Sequence, residues 1–261
     1  MIRSIGYVAL LASWLVGQTA VADDGGWGHL TGQFQVVGEV PAPSKKTVDK
    51  DQSFCVKEGE ILDENLLVDE RGYLRDVFVM MLLRPDETVP VHPSYDELYQ
   101  QPIVLDNIRC RFAPHALFVR TGQRLTLKNS DEVGHNCHII TFANEENVNL
   151  PSGGSVDVRL SNPDRTPGNV VCDIHKWMDA VLLVREEPYA AISTVDGTFR
   201  IENIPAGSWK FQFWHKKAGY LSRLEIDGYE VGRRGEIDIT ITDGQTVELG
   251  TMKIGAEHLN K

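Results

Sequence analysis

Phe112-Ala-Pro-His-Ala-Leu-Phe-Val-Arg-Thr-Gly122-Gln-Arg-Leu-Thr-Leu-Lys-Asn-Ser-Asp131 reads as a strand, a glycine turn and a second strand. Ala116–Val119 and Arg124–Leu127 are the strand runs, and Gly122-Gln123 supplies the turn chemistry between them. The same rhythm recurs outward in both directions. Short alternating or β-branched runs stand at Gly32–Val37, Asp76–Leu83, Ser155–Leu160, Ala180–Val184, Thr198–Ile201, Trp209–Trp214, Glu236–Ile241 and Thr246–Ile254. Ser152-Gly153-Gly154, Asp196-Gly197, Pro205-Ala206-Gly207 and Asp243-Gly244 punctuate them. Many short strands at this spacing predict an all-β chain of antiparallel sandwich or barrel type. The stretch from His92 to Gln101 has room for one helical turn, and Pro41-Ala-Pro-Ser-Lys-Lys reads as loop, neither of which changes the class.

The second strand runs into Asn129-Ser-Asp-Glu-Val-Gly-His135-Asn136-Cys137-His138. Cys172-Asp-Ile-His175-Lys-Trp-Met178 begins 37 residues after His135. Thiolate is soft and suits copper, imidazole accepts either copper oxidation state, and a trigonal two-His, one-Cys set with a long thioether contact suits electron transfer. Because Cys172, His175 and Met178 lie three residues apart, one tight loop between strands can aim all three inward, with His135 arriving from a neighbouring strand.

At these residues the chain resembles the cupredoxins. The run Phe112–Asp131 followed by Gly-His-Asn is similar to that family's order of strand, glycine turn, strand and ligand histidine, and the loop spacing Cys-x-x-His-x-x-Met is similar to that of amicyanin. The resemblance implies a Greek-key β-sandwich holding one type 1 copper ion. It puts His135, Cys172, His175 and Met178 on the ligand positions and Asn136 on the asparagine that supports them from behind. The mature chain as a whole looks like the "methylamine utilisation protein" group of exported bacterial proteins. In cupredoxins the loop histidine reaches the surface through an apolar patch, for which Ala113, Pro114, Ile174 and Trp177 are the candidates. Trp177 packing against another domain is the competing reading.

A structural zinc site is the chemical competitor, since His135, Cys137, Cys172 and His175 would make a closed Cys2His2 set. Residues i and i+2 of a strand share a face, so Cys137 points inward with His135, where a buried thiol behaves as a small hydrophobe. Core thiol is the favoured reading of Cys137, and solvated surface residue that of His138. A binuclear copper centre needs two cysteines in the ligand loop, which holds one. Cys172 is flanked by Val171 and Asp173 rather than by the histidines that multicopper oxidases and copper nitrite reductases use to reach a second copper. The chain therefore reads as a carrier and not an enzyme. His115 and His215 read as structural hydrogen-bonding residues or contacts between domains.

Residues 187–261 form a different unit. Asp196-Gly-Thr-Phe-Arg-Ile-Glu-Asn-Ile-Pro-Ala-Gly-Ser-Trp209 resembles the carboxypeptidase-regulatory-like, or transthyretin-like, β-sandwich, which implies a binding or scaffolding module. Trp27-Gly-His-Leu-Thr-Gly-Gln-Phe-Gln-Val-Val-Gly-Glu-Val-Pro41 resembles the first strand of that same sandwich type. Residues 23–101 are thus an N-terminal β segment that either completes that sandwich, with the cupredoxin unit at 102–186 inserted, or simply extends the cupredoxin unit. Insertion at surface turns is tolerated.

Residues 1–22 carry Arg3, an apolar run from Ile5 to Val16 and then Ala20-Val21-Ala22, the small-x-small pattern of a signal peptidase site. The run falls short of the roughly 20 apolar residues of a membrane span. The mature chain is expected to start near Asp23 and to work in the periplasm or outside the cell, with no membrane span. The formal charge of −11 becomes −12 without residues 1–22, which hold one Arg and no acid. So acidic a chain is a poor nucleic-acid binder. A basic redox protein, of cytochrome c or dehydrogenase type, fits that charge.

The disulfide follows by elimination among the four cysteines. Cys172 must stay a thiolate to bind copper, and Cys137 lies two residues from a ligand on the inward face. That leaves Cys55 and Cys110 to pair in an oxidising compartment. The function expected from all this is an exported type 1 copper protein carrying single electrons between redox partners. The alternative is a copper- or zinc-binding, or metal-free, scaffold or adhesion module on the same fold.

Overall fold

The computed structural model describes residues 25–259 apart from residue 86, so the expected signal segment lies outside the described residues. The chain is all-β. Among the described residues, helix is confined to Gln52–Cys55, Ser94–Gln100 and a 3-10 turn at Ala256–His258. The second of these is the helical turn expected between His92 and Gln101.

Two strand sets each enclose a core. In the first, one sheet runs Ala116–Arg120, Asp179–Arg185, Gly168–Val171, His135–Ile140, Glu145–Leu150, and the other runs Arg111–Ala113, Ile103–Ile108, Leu125–Asn129, Ser155–Val158. Leu125 and Leu127 point inward while Thr126 and Lys128 point out, the period-2 alternation of a half-buried strand. They meet Leu105, Leu117, Val119, Ile139, Val170, Ala180, Leu182 and Val184 in one core. The two strands flanking Gly122 do not pair with each other. They lie in opposite sheets, and each finds a parallel partner, Asp179–Arg185 for the first and Ile103–Ile108 for the second. The sandwich is therefore mixed rather than purely antiparallel.

The second set joins the two ends of the chain. Trp27–Val37 pairs antiparallel with Thr198–Pro205 and parallel with Thr246–Gly255. Phe78–Leu82 lies between Ala190–Ile192 and Gly207–His215, with Glu236–Ile241 and Gly219–Tyr220 also on Gly207–His215. Leu30, Phe34, Val79, Met81, Phe211 and Phe213 are among the residues of its core. The Asp196-Gly197 turn needs glycine. Gly197 has φ +74°, and a Cβ there would stand 2.5 Å from the Phe34 carbonyl oxygen.

The two sandwiches touch through strands buried on both faces. Phe78–Leu82 turns Val79 and Met81 into the second core and Phe78 and Met80 toward Ala116, Val181 and Leu183 of the first. This explains the near-continuous apolar runs Phe-Val-Met-Met-Leu and Ala-Val-Leu-Leu-Val. A strand covered on one face would alternate with polar residues. Residues 45–62 behave unlike the rest of the N-terminal segment. They form an isolated bridge between Lys45 and Leu62 and the one-turn helix, and Cys55 and Ile61 join the core of the first sandwich.

Candidate metal centre

Val171 faces Asp179 across two antiparallel strands, so residues 172–178 are the loop between them. The loop is closed from within. The Cys172 N–H donates to the Met178 carbonyl at 3.2 Å and the Met178 N–H to the His175 carbonyl at 2.9 Å. The His175 N–H points at the Cys172 sulfur, 3.3 Å away. His135 opens the adjacent strand His135–Ile140. The donor atoms of His135, Cys172 and His175 lie within 4.8 Å of one another, and all three residues are buried. Met178 is buried in the same core at the end of the loop.

Asn136 ties the strand to the loop. Its Oδ1 accepts the Asp173 N–H at 2.8 Å and the Cys172 thiol at 3.3 Å, while its Nδ2 donates to Asn147 and Asp173 at 2.8 Å each. The side chain thereby links the strand of His135 to the loop 172–178.

Each histidine is held from behind by a carboxylate. His135 Nε2 is 2.9 Å from Asp131 Oδ2 and His175 Nε2 is 2.7 Å from Asp51 Oδ2. An ionised carboxylate only accepts, so each Nε2 carries the proton and each Nδ1 turns its lone pair inward. The two Nδ1 atoms stand 2.8 Å apart. Two lone pairs at that distance repel unless a cation lies between them. A shared proton or a metal ion would meet that need. Burial opposes that proton, but Asp131 and Cys172 outweigh burial and hold the His135 pKa above its ordinary value. Burial, reinforced by the neighbouring His135 charge, pushes His175 down despite Asp51. Burial would raise the Cys172 thiol, yet His135, Asn136 and the N–H groups of the loop hold it low. Two imidazole nitrogens and a thiolate-forming sulfur around one point fit a soft or borderline metal ion.

Asp131 is anchored by consecutive N–H groups, Arg109 to Oδ1 at 2.6 Å and Cys110 to Oδ2 at 2.8 Å. Arg109 and Cys110 both have positive φ, which aims these two donors at one carboxylate. Burial raises the Asp131 carboxyl, but His135 and the two N–H groups pull it below its ordinary value. Cys110 is disulfide-bonded to Cys55, which removes it from any ligand set with Asp131 and His135.

Cys137 does not join the converging donors. It takes a long contact from Asn107 Nδ2 at 3.5 Å, and burial pushes its thiol up to about 12. A Cys2His2 zinc set is therefore not assembled among the described residues. His138 faces away, half-buried, with Nδ1 3.1 Å from Asp173. His115 and His215 are buried apart from the loop. His115 Nδ1 lies 3.3 Å from Asp76, just ahead of Phe78–Leu82, and His215 Nδ1 accepts the Lys217 N–H at 3.2 Å.

Two readings of the loop are corrected. His175 does not reach the surface through an apolar patch. It is fully buried, because residues 45–62 bring Asp51 over its outer nitrogen. Nor does Trp177 pack against the second sandwich. It joins the core of the first, with its indole N–H on the Cys110 carbonyl at 3.1 Å and its ring 5.0 Å from that of His175. Sequence reading missed both carboxylates. Asp131 carried a signal, four residues before His135 in the Asn-Ser-Asp run, whereas Asp51 lies 124 residues from its histidine in a polar stretch with no pattern.

No family model matches the chain, and no curated protein matches it. Solved structures resemble parts of it. A copper-containing nitrite reductase from Thermus scotoductus SA-01 is 19% identical at a TM-score of 0.31, over 38% of this chain and 27% of that one. This chain thus spans about a quarter of that enzyme. A purple cupredoxin from Nitrosopumilus maritimus is 18% identical at a TM-score of 0.28, over 31% of this chain and 98% of that one. A proline-to-alanine mutant of amicyanin in its oxidised state is 18% identical at a TM-score of 0.29, over 32% of this chain and 82% of that one.

Proposed function

We propose that this chain is an exported type 1 copper protein that carries single electrons between redox partners, with His135, Cys172 and His175 as strong ligands and Met178 as the weak fourth. The observation that carries the reading is the meeting of His135 Nδ1, Cys172 Sγ and His175 Nδ1, with both outer ring nitrogens fixed by carboxylates. Bound copper would supply a one-electron couple between Cu(II) and Cu(I), which this mixed donor set accommodates in both states.

The residues do the rest. Asn136 holds the loop to the strand, and the loop's own hydrogen bonds keep Cys172, His175 and Met178 in register. Burial keeps water from the sulfur. A site that rearranges little on gaining an electron exchanges electrons quickly. Residues 102–186 would be the copper-holding domain, inserted into a transthyretin-like sandwich that serves as scaffold and is built from both ends of the chain. The acidic chain suits a basic redox partner met outside the cytoplasm. The disulfide accords with an oxidising compartment, and among the described residues no helix is long and apolar enough to cross a membrane. Voltammetry of the copper-loaded protein tests the reading. One equivalent of copper giving a fast, reversible one-electron wave supports a carrier, and tight copper binding without reversible electron exchange supports a scaffold instead.

A further inference from the structure

Asp51 occupies an unusual place. Its backbone is left-handed, at φ 47° and ψ 34°, a conformation few non-glycine residues adopt. From there its carbonyl accepts the N–H groups of Phe54 and Cys55, at 3.0 and 2.9 Å, and starts the one-turn helix. Its side chain meanwhile reaches His175 Nε2. Residues 45–62 thus form a strap, fastened beyond Asp51 by the bridge from Cys55 to Cys110, whose carbonyl takes the Trp177 indole N–H. His175 has no exposed side-chain surface, while the Asp51 side chain is 37% exposed. The carboxylate is thus the boundary between the imidazole and water.

We infer that Asp51 is a positioning residue for the metal centre and the cap on its outer face: it holds His175 in the tautomer that presents Nδ1 to the metal, and a redox partner meets the strap rather than a bare imidazole edge. The inference rests on the copper reading for its metal and on the metal-free geometry for its cap. An acceptor on the far nitrogen of a ligand histidine orients the ring and raises its basicity. The Asp51 charge, beside Asp131 and the Cys172 thiolate, also favours the more positive oxidation state of whatever metal the histidines hold.

The test has two arms on the full chain. In the first, metal-free protein is treated with diethyl pyrocarbonate and the modified histidines are mapped by mass spectrometry. His175 is expected to be protected in the unaltered protein and in Asp51→Asn, whose amide oxygen still accepts, and to be modified in Asp51→Ala, with His135 protected in all three. Equal modification of His175 with and without Asp51 overturns the cap. In the second arm, copper-loaded Asp51→Asn is expected to stay blue while its equilibrium moves about tenfold toward Cu(I), a rise of about 59 mV for one electron. A potential unchanged in copper-loaded Asp51→Asn and Asp51→Ala alike overturns the positioning role. A chain that takes up no copper contradicts the function proposed above, and the first arm then decides the cap alone.

Discussion

Cys55 is bonded to Cys110 with their Cα atoms 5.4 Å apart, and each half of the bridge leads to a different histidine of the centre. Cys55 ends the helical turn that Asp51 begins, and Asp51 holds His175. The Cys110 N–H holds Asp131, and Asp131 holds His135. The bridge is thus a brace across the back of the site as well as a link along the chain.

Replacing both cysteines by serine is expected to lower stability and loosen the metal together. The chain-entropy model gives about 4 kcal/mol for a loop of this length, an upper figure. Loss of support behind ligand histidines weakens metal binding by roughly 10- to 100-fold. Thermal melting and copper competition titrations of the double variant measure the two effects. Unchanged copper affinity in a destabilised variant would separate the bridge from the site.

The contact between the sandwiches is expected to be pH-dependent. His115 is flanked by Asp76 at 3.3 Å and Asp179 at 3.9 Å, the latter an ionic contact beyond hydrogen-bond range, with Lys216, Lys46 and Arg75 on the same carboxylates. Burial would lower its pKa, but Asp179 and Asp76 raise it to about 9. A raised histidine contributes stability that is complete below the unfolded pKa of about 6.5 and is lost as pH climbs through the folded value, here up to about 3 kcal/mol. Burial holds His215 neutral, down to about 4, so its contribution is complete above about 6.5 and is lost as pH falls toward 4. Melting temperatures of metal-free protein should peak near neutrality and decline toward pH 9, and His115→Gln should flatten the alkaline limb. An alkaline limb equally steep in that variant contradicts the assignment.

How legible these features are in the sequence depends on whether their cause is local. Leu-Thr-Leu-Lys-Asn and Glu-Ile-Asp-Ile-Thr-Ile alternate, so their strands declare themselves at Leu125–Asn129 and Glu236–Ile241. Glu145–Leu150, Glu-Glu-Asn-Val-Asn-Leu, is a mostly exposed edge strand with little β propensity, held by pairing with His135–Ile140 and by side-chain bonds from Asn147 to Asp173 and from Asn129 to the Leu150 carbonyl, and nothing in its own residues shows it. At the site, Cys172 and His175 share one short loop, so their nearness is readable from spacing. Asp51 reaches His175 only because residues 45–62 leave one sandwich to pack on the other. No periodicity encodes that excursion.

Met178→Leu conserves volume in the core and should cost less than about 1.5 kcal/mol. With copper bound, the colour should persist, because the thiolate provides it, while loss of the weak thioether donor disfavours Cu(II) and raises the potential. Voltammetry and the optical spectrum read both. Complete loss of metal in this variant would count against an axial role for Met178.

Cys172, and not the nearby Cys137, is expected to bind copper as thiolate. The optical spectrum of the protein with one equivalent of Cu(II) tests it most directly, in the unaltered chain, Cys172→Ser and Cys137→Ser. An intense blue band in the unaltered chain and in Cys137→Ser, with Cys172→Ser colourless, is the expected result. A blue Cys172→Ser, or a Cys137→Ser bleached while Cys172→Ser keeps its colour, would contradict the centre described here.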